Sequence, residues 1–245
     1  MKNSLFKKFI SSAMAAFVLF PPPNRVNAED PPVKLNTYVV KAVLVGNSGV
    51  GKTATAGSIY FEKVYTSGFE KTAGVEYYPV CVGKGNDRVK VQMWDTSGRK
   101  EFKSITFAYL RGCMAIVIFT DLLKENVEAT SEWLRGCKEH ELPSDAKVLF
   151  VINENTPSPC APNDRFDSAE AAEARLKELH ENEILGKPDI CCVNPSKPEG
   201  CNELLRRLEN LASDCLREGK YYRYPFSINL LAHRKSHTLL AQGRF

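Results

Sequence analysis

Gly46-Asn47-Ser48-Gly49-Val50-Gly51-Lys52-Thr53 fits the spacing G-x-x-x-x-G-K-T, and further along the apolar run VQMWD ends on Asp95. Glycines at these positions let backbone N–H groups converge on phosphate oxygens, and a helix starting there adds a favourable field. Lys52 would reach the β- and γ-phosphates of a nucleotide, and the Thr53 hydroxyl would ligate Mg²⁺. A lone aspartate at a strand end is usually a turn-former that caps its own backbone. Set across from a phosphate loop, Asp95 instead has the chemistry to hold the Mg²⁺ shell. Gly98, three residues on, could bring its own N–H to the terminal phosphate.

These groups need a scaffold that delivers them to one place. TYVVKAVLV (37–45) reads as a buried strand running straight into the loop, and GKTATAGSIYF (51–61) as the helix that leaves it. VEYYPVCV (75–82) and RVKVQMW (88–94) read as a hairpin around GKGND, with Pro79 marking an edge strand. MAIVIFT (114–120) and KVLFVIN (147–153) are continuous apolar runs, as expected of strands covered on both faces. A helix is expected over 126–141 with Val127, Trp133, Leu134 and Cys137 inward. Another should start at Asp167, which with Glu170 has capping-box spacing. DICCV (189–193) is a last strand, and 198–216 a helix with Leu204, Leu208 and Leu211 on one face. The alternation predicts an α/β chain of the P-loop NTPase fold: a six-stranded, mostly parallel sheet, one antiparallel edge strand, and helices on both faces. In such sheets ligands bind beyond the carboxyl ends of the strands, where the chemistry-bearing residues stand.

With 245 residues, 43% hydrophobic and 25% charged, the chain suits one globular domain with extensions. Its net charge of +4 comes from the ends. The interior is mildly acidic, so no nucleic-acid face is expected. Residues 1–28 pair a cationic opening with the apolar run FISSAMAAFVLF and end in Val26-Asn27-Ala28, a signal-peptide-like pattern. Residues 29–36 read as a linker, 37–216 as the domain, and 217–245 as a basic tail capable of weak membrane-surface association. The leader points to export, where nucleoside triphosphate would be scarce, and cytoplasmic residence is the alternative. Cys81, Cys113, Cys191 and Cys192 lie in apolar strands and read as small buried hydrophobes. There is no C-x-x-C pair, so a structural zinc site is not expected.

GNSGVGKT, WDTSGRKEF, KTAGVEYY (71–78) and FAYLRGCMAIVIFTD (107–121) together resemble the Ras superfamily of small GTPases, and the Rab branch most. The resemblance implies a GTP/GDP-dependent switch in vesicle-trafficking signalling, with Mg²⁺ held by Thr53, Thr72 and Asp95. It implies nucleotide contacts from Ser48, Gly49, Val50, Gly51, Lys52, Thr53, Ala54, Thr72 and Gly98. Base contacts would come from Tyr65, Asn153, Thr156, Ser196 and Lys197, and catalytic roles would fall to Lys52, Gly98 and Arg99. Effectors, exchange factors and GTPase-activating proteins would dock through 65–78 and 95–110. Several positions depart from the family pattern. Arg99 replaces the water-orienting glutamine, which implies slow hydrolysis. Asn153-Glu154-Asn155-Thr156 replaces N-K-x-D, and an insertion falls within 156–188. The last cysteine is Cys215, so no prenyl anchor is expected. A non-catalytic interaction module retaining a Rab-like surface, and an exported protein directed at a host cell, are the readings these departures leave open.

Overall fold

The buried strand β1, Tyr38–Gly46, feeds directly into the phosphate loop, as its unbroken apolar run requires. The computed structural model describes residues 38–64, 72–83, 89–155, 162–184 and 187–223. The signal-peptide-like segment, Tyr65, Thr156 and most of the C-terminal tail lie outside them. After β1 come α1 (Lys52–Phe61), β2 (Val75–Val82), β3 (Val89–Thr96), α2 (Lys103–Ala108), β4 (Ala115–Asp121) and α3 (Lys124–Glu139). β5 (Lys147–Asn153), α4 (Ala169–His180), β6 (Asp189–Val193), α5 (Asn202–Arg217) and a two-residue β7 (Tyr222–Arg223) complete the chain. Among the described residues no helix is long and apolar enough to cross a membrane.

The main sheet runs β2-β3-β1-β4-β5-β6. β1 pairs in parallel with β3 and β4, β4 with β5, and β5 with β6, while β2 is antiparallel to β3 at the edge. This is the expected six-stranded arrangement, and Pro79 sits on its edge strand, where its missing N–H costs least. β7 adds a seventh strand. β4 begins pairing only at Ala42, so the first residues of β1 have an open side; Tyr38 pairs there with Arg223 and Val39 with Tyr222. Tyr222 also donates its hydroxyl to the Gly112 carbonyl at 2.9 Å.

Alternate residues of β1 divide the core between the two faces. Val40, Ala42 and Leu44 pack with α1 and α5, and Val43 and Val45 with α3 and α4. On α5, Leu204, Leu208 and Leu211 face the sheet as their spacing implies, each burial contributing about 2 kcal/mol. The α3 stripe of Val127, Trp133, Leu134 and Cys137 is likewise fully covered.

Two local expectations need correction. The cap of α4 is Ser168, whose hydroxyl accepts from the Ala171 N–H at 3.3 Å, and not Asp167. Serine and aspartate both serve as caps, and the backbone register decides between neighbours. Cys81 is exposed and Cys192 half-buried, because alternate residues of the edge strands β2 and β6 face outward. Cys113 and Cys191 are buried as expected.

α4 also carries a buried histidine whose tautomer can be deduced. Thr130 on α3 donates its hydroxyl proton to the Val127 carbonyl at 2.6 Å, so its Oγ1 can only accept from His180 Nε2, 2.9 Å away. Nδ1 is therefore bare, buried without a partner, on a ring stacked 4.5 Å from Phe150. Burial lowers the His180 pKa; Glu183, 3.9 Å from Nδ1, opposes that and Lys138 reinforces it. A depressed folded pKa contributes stability that is whole above the ordinary value of 6.5 and is lost as pH falls through the folded value. The melting temperature should thus fall on acidification below pH 6.5, by about 2–4 °C per kcal/mol lost. His180→Gln should flatten that part of the profile; an unchanged slope would assign the acid sensitivity to other groups.

Candidate functional site

Gly46, Asp121 and Asn153 end their strands, and Asp95 stands one residue before the end of β3, all at the carboxyl end of the parallel strands. The register sets Leu44 against Asp95 and Asp121 against Asn153. The loop leaving β1 turns sharply at Gly51, whose φ of +92° strains any side chain, and a Cβ there would lie 2.1 Å from Asn153 Nδ2. Gly51 heads α1 with no side-chain cap and no acidic residue in the first turn. The positive end of that helix is uncompensated, which suits an anion.

Lys52 is 5% exposed and folds back over the loop, donating to the carbonyls of Gly46 and Asn47, each at 2.8 Å. Burial pulls its pKa down to about 8 against the pull of Asp95. Asp95 is fully buried, and desolvation lifts its carboxyl to about 6 despite Lys52 and the hydrogen bond from Thr53. Thr53 donates to Asp95 Oδ2 at 2.6 Å, and its oxygen lies 2.8 Å from that of Thr72. Asp95 Oδ1 has no partner, an omission that ordinarily costs about 1–3 kcal/mol.

Three oxygens from three segments thus line up, Thr72 on Thr53 and Thr53 on Asp95 Oδ2, and the other oxygen of the same carboxylate is left without a partner. No cluster of three or more His, Cys, Asp or Glu able to hold a metal exists among the described residues. One carboxylate with hydroxyls suits Mg²⁺, which takes few protein ligands and completes its shell with phosphate oxygens and water. The residues fit the cation, and Thr53, Thr72 and Asp95 are those that would hold it.

Gly98 lies against the phosphate loop so closely that a Cβ would come within 2.3 Å of the Asn47 carbonyl carbon and 2.4 Å of Gly46 O and Ser48 N. Ser97 donates its N–H to Gly74 O at 2.9 Å, tying this turn to the segment that carries Thr72. Arg99 is exposed beside it, and among the described residues no ion pair holds its guanidinium. Ser48 and Gly49 are exposed at the loop's crest, Val50 is buried beneath it, and Ala54 lies half-buried in the first turn of α1.

On the base side, Asn153 is 2% exposed and clamps two loops together. Its Nδ2 donates to Val50 O at 3.2 Å and its Oδ1 accepts from Asn155 N at 3.1 Å. One amide N–H remains for a base. Ser196 donates through N and Oγ to Asn194 Oδ1, at 3.2 and 2.6 Å, and Lys197 stands exposed next to it. From the insertion, Arg165 Nη2 donates to Glu154 O at 3.4 Å, which lays that segment along the base loop.

A family described as Ras of Complex, Roc, domain of DAPkinase matches residues 41–155, from β1 through Asn153. The Ras-related protein Rab-8A of Gallus gallus is 34% identical over 118 residues, 48% of this chain and 56% of that protein. The Ras-related protein Rab-3 of Caenorhabditis elegans is 34% identical over 118 residues, 48% and 53% of the two chains. Over these residues the chain is similar to Ras-superfamily small GTPases, Rab proteins among them. It spans about half the length of the curated relatives it matches. Ser196 and Lys197, together with the insertion, lie beyond the residues that the family matches.

Two features of this domain escape the sequence reading. Tyr77 pairs with Trp94 across β2 and β3 with ring centroids 5.0 Å apart, and Trp94 meets Tyr109 at 5.2 Å. The row is flanked by Lys90, 5.8 Å over Tyr77, and Lys41, 5.8 Å over Trp94. Outward alternation on β2 and β3 was the signal available for Tyr77 and Trp94; Tyr109 had none. The second is a set of side chains beneath the loop, Asn47, Asp121, Asn126 and Trp133. Only the inward position of Trp133 was legible.

Proposed function

We propose that the chain binds guanine nucleotide with Mg²⁺ and works as a GTP/GDP switch with slow intrinsic hydrolysis. The observation that carries this reading is the alignment of Thr72, Thr53 and Asp95 Oδ2, with the other Asp95 oxygen unpartnered and the Lys52 ammonium buried in the same site. Mg²⁺, held by Thr53, Thr72 and Asp95, would neutralise phosphate charge when bound. The chain's own residues do the rest. Lys52 donates to the Gly46 and Asn47 carbonyls, and phosphate oxygens would take their place as acceptors beside the uncapped N-terminus of α1. Thr72 precedes β2 and Gly98 follows β3 at the same end of that strand pair, and the Ser97–Gly74 bond joins their segments. Loss of a terminal phosphate would release both at once, which is how such a site would distinguish GTP from GDP.

Asn153, Ser196 and Lys197 support guanine as the base. With a threonine where the paired acceptor of relatives would stand, discrimination should be looser than in a site that bonds the whole polar edge. The rival reading, an interaction module without nucleotide, gains nothing from a site whose phosphate-side residues stand in the order that binding needs. The Tyr77–Trp94–Tyr109 row, with 39% of Tyr77 exposed, is the surface on which effector proteins would dock. Aromatic anchors at such a position supply large contact area with little entropy to lose.

Arg99 accounts for the slow chemistry. A guanidinium has five donors and no acceptor, so it cannot take a proton from water or orient it as an amide does. Ras-type intrinsic rates are already about 10⁻⁴ s⁻¹ with glutamine in place. Arg99→Gln should raise single-turnover GTP hydrolysis several-fold and leave nucleotide affinity unchanged. A fall in rate would make Arg99 itself the stabiliser of transition-state charge. The parent reading is tested by displacing a fluorescent GDP from the purified chain with unlabelled GTP and ATP: GTP should win, and equal competition would remove the guanine assignment.

A further inference from the structure

The phosphate loop has positive φ at Gly46, Gly49 and Gly51, so its own backbone preferences leave its path loosely defined. What holds it comes from outside the loop. The Asn47 carboxamide is engaged at both ends: Oδ1 accepts from Trp133 Nε1 at 2.8 Å, and Nδ2 donates to Asn126 Oδ1 at 2.7 Å. Asn126 Nδ2 in turn donates to Asp121 Oδ1 at 2.9 Å, and the same oxygen accepts from Leu123 N at 2.9 Å. The chain of bonds therefore ends on backbone at the start of α3. The Asn47 main chain is meanwhile one of the two carbonyls that receive Lys52, and Gly98 packs against its carbonyl carbon. Asn47 thus carries the phosphate-binding lysine on its backbone and is anchored to α3 by its side chain.

Trp133 lies at the centre of this arrangement, 2% exposed. Two of its other neighbours belong to α2, the helix that follows Gly98 and Arg99. Phe107 meets the indole edge-on at 6.1 Å, and Lys103 Nζ sits 5.0 Å over the ring while bonded to Glu132 at 2.5 Å. Phe107 is itself confined: a Cβ at Gly136 would come within 2.7 Å of it, and its ring stacks on His140 at 4.5 Å. If the indole served only to fill the core, its N–H would have no reason to point at the loop. Its polar end is spent on Asn47 and its faces on α2.

We propose that Trp133 is a positioning residue for nucleotide binding: through Asn47 it fixes the phosphate loop, and through Phe107 and Lys103 it ties that loop to α2. The inference rests on the nucleotide-binding reading and adds a residue far from any nucleotide contact. Trp133→Phe keeps an aromatic ring in the core and deletes the N–H. Asn47→Ala deletes the other partner at a loop position, together with the bond to Asn126.

The experiment measures dissociation of fluorescent GDP in Mg²⁺ from the full chain, alongside the melting temperature of each nucleotide-free protein. Each single variant should release GDP about three- to tenfold faster, the range that one lost hydrogen bond gives. The double variant should be no faster than the faster single one, because both remove the same bond. A release rate equal to the parent's in both single variants, or additive effects in the double, overturns the proposal even where melting temperatures fall. Trp133 and Trp94 are the chain's two tryptophans, so Trp94→Phe leaves the Trp133 emission alone. That emission should differ between the GDP form and a form loaded with a non-hydrolysable GTP analogue; identical spectra would break the link to α2. A parent protein that holds no labelled GDP would instead defeat the nucleotide-binding reading itself, a result distinct from all of these.

Discussion

Lys52→Ala is expected to weaken guanine-nucleotide binding by about 100-fold or more, since removing a buried charged partner costs about 2–5 kcal/mol. The loss should not reflect unfolding. Burial depresses the Lys52 pKa from 10.5 to about 8, so the nucleotide-free protein holds this ammonium at a cost. A depressed folded pKa contributes stability that is whole above 10.5 and lost as pH falls through about 8. At neutral pH the alanine variant escapes that loss, and its melting temperature without nucleotide should stay close to the parent's. It forgoes the two bonds to Gly46 O and Asn47 O, which limits any gain. Asp95 loses its cation and should bind its proton more tightly, since Lys52 is what pulls that carboxyl down. Titration calorimetry with GDP and Mg²⁺ at pH 7 decides the matter. Equal affinity in variant and parent would remove Lys52 from the phosphate site.

Gly98→Ala should abolish most of the preference for triphosphate over diphosphate. The added Cβ would stand 2.3–2.4 Å from the backbone atoms Asn47 C, Gly46 O and Ser48 N. No side chain can rotate to relieve that contact, so the Ser97–Arg99 turn must lift from the loop. Its N–H would then miss the terminal phosphate, and one charge-assisted hydrogen bond is worth about 1.5–3 kcal/mol, or tenfold and more in affinity. Diphosphate makes no use of that N–H and should bind nearly as before. Competition of GTP analogue and GDP for the labelled nucleotide gives the ratio directly. A ratio equal to the parent's would mean that Gly98 approaches the loop for packing alone.

The sequence by itself determined what is contiguous. The phosphate loop is one run of residues between a strand and a helix, so motif and context are read together. The order of strands followed from continuous apolar runs, because a strand covered on both faces has no polar positions to vary. The inward stripes of α3 and α5 followed from helical spacing, a property of a few neighbouring turns. The match to the N-terminal two-thirds of the domain rests on the same contiguous segments.

What the tertiary structure decided is everything that depends on register between distant strands. Thr53 and Asp95 are 42 residues apart and Thr53 and Thr72 are 19 apart, and the β1–β3 and β2–β3 pairings together bring their oxygens into contact. Whether α4 begins at Asp167 or Ser168 turned on one step of backbone rotation, to which a capping pattern is blind. The exposure of Cys81 and Cys192 followed from their place on edge strands, where one of two alternating faces is open. β7 exists because β4 starts late against β1 and leaves backbone groups to be paired. Trp133 illustrates the division most sharply. Helical periodicity places its ring in the core, but the direction of its N–H depends on Asn47, 86 residues earlier in the chain. Apolar burial is non-directional and can be read from a local pattern, whereas a hydrogen bond is directional and exists only once both partners have been placed.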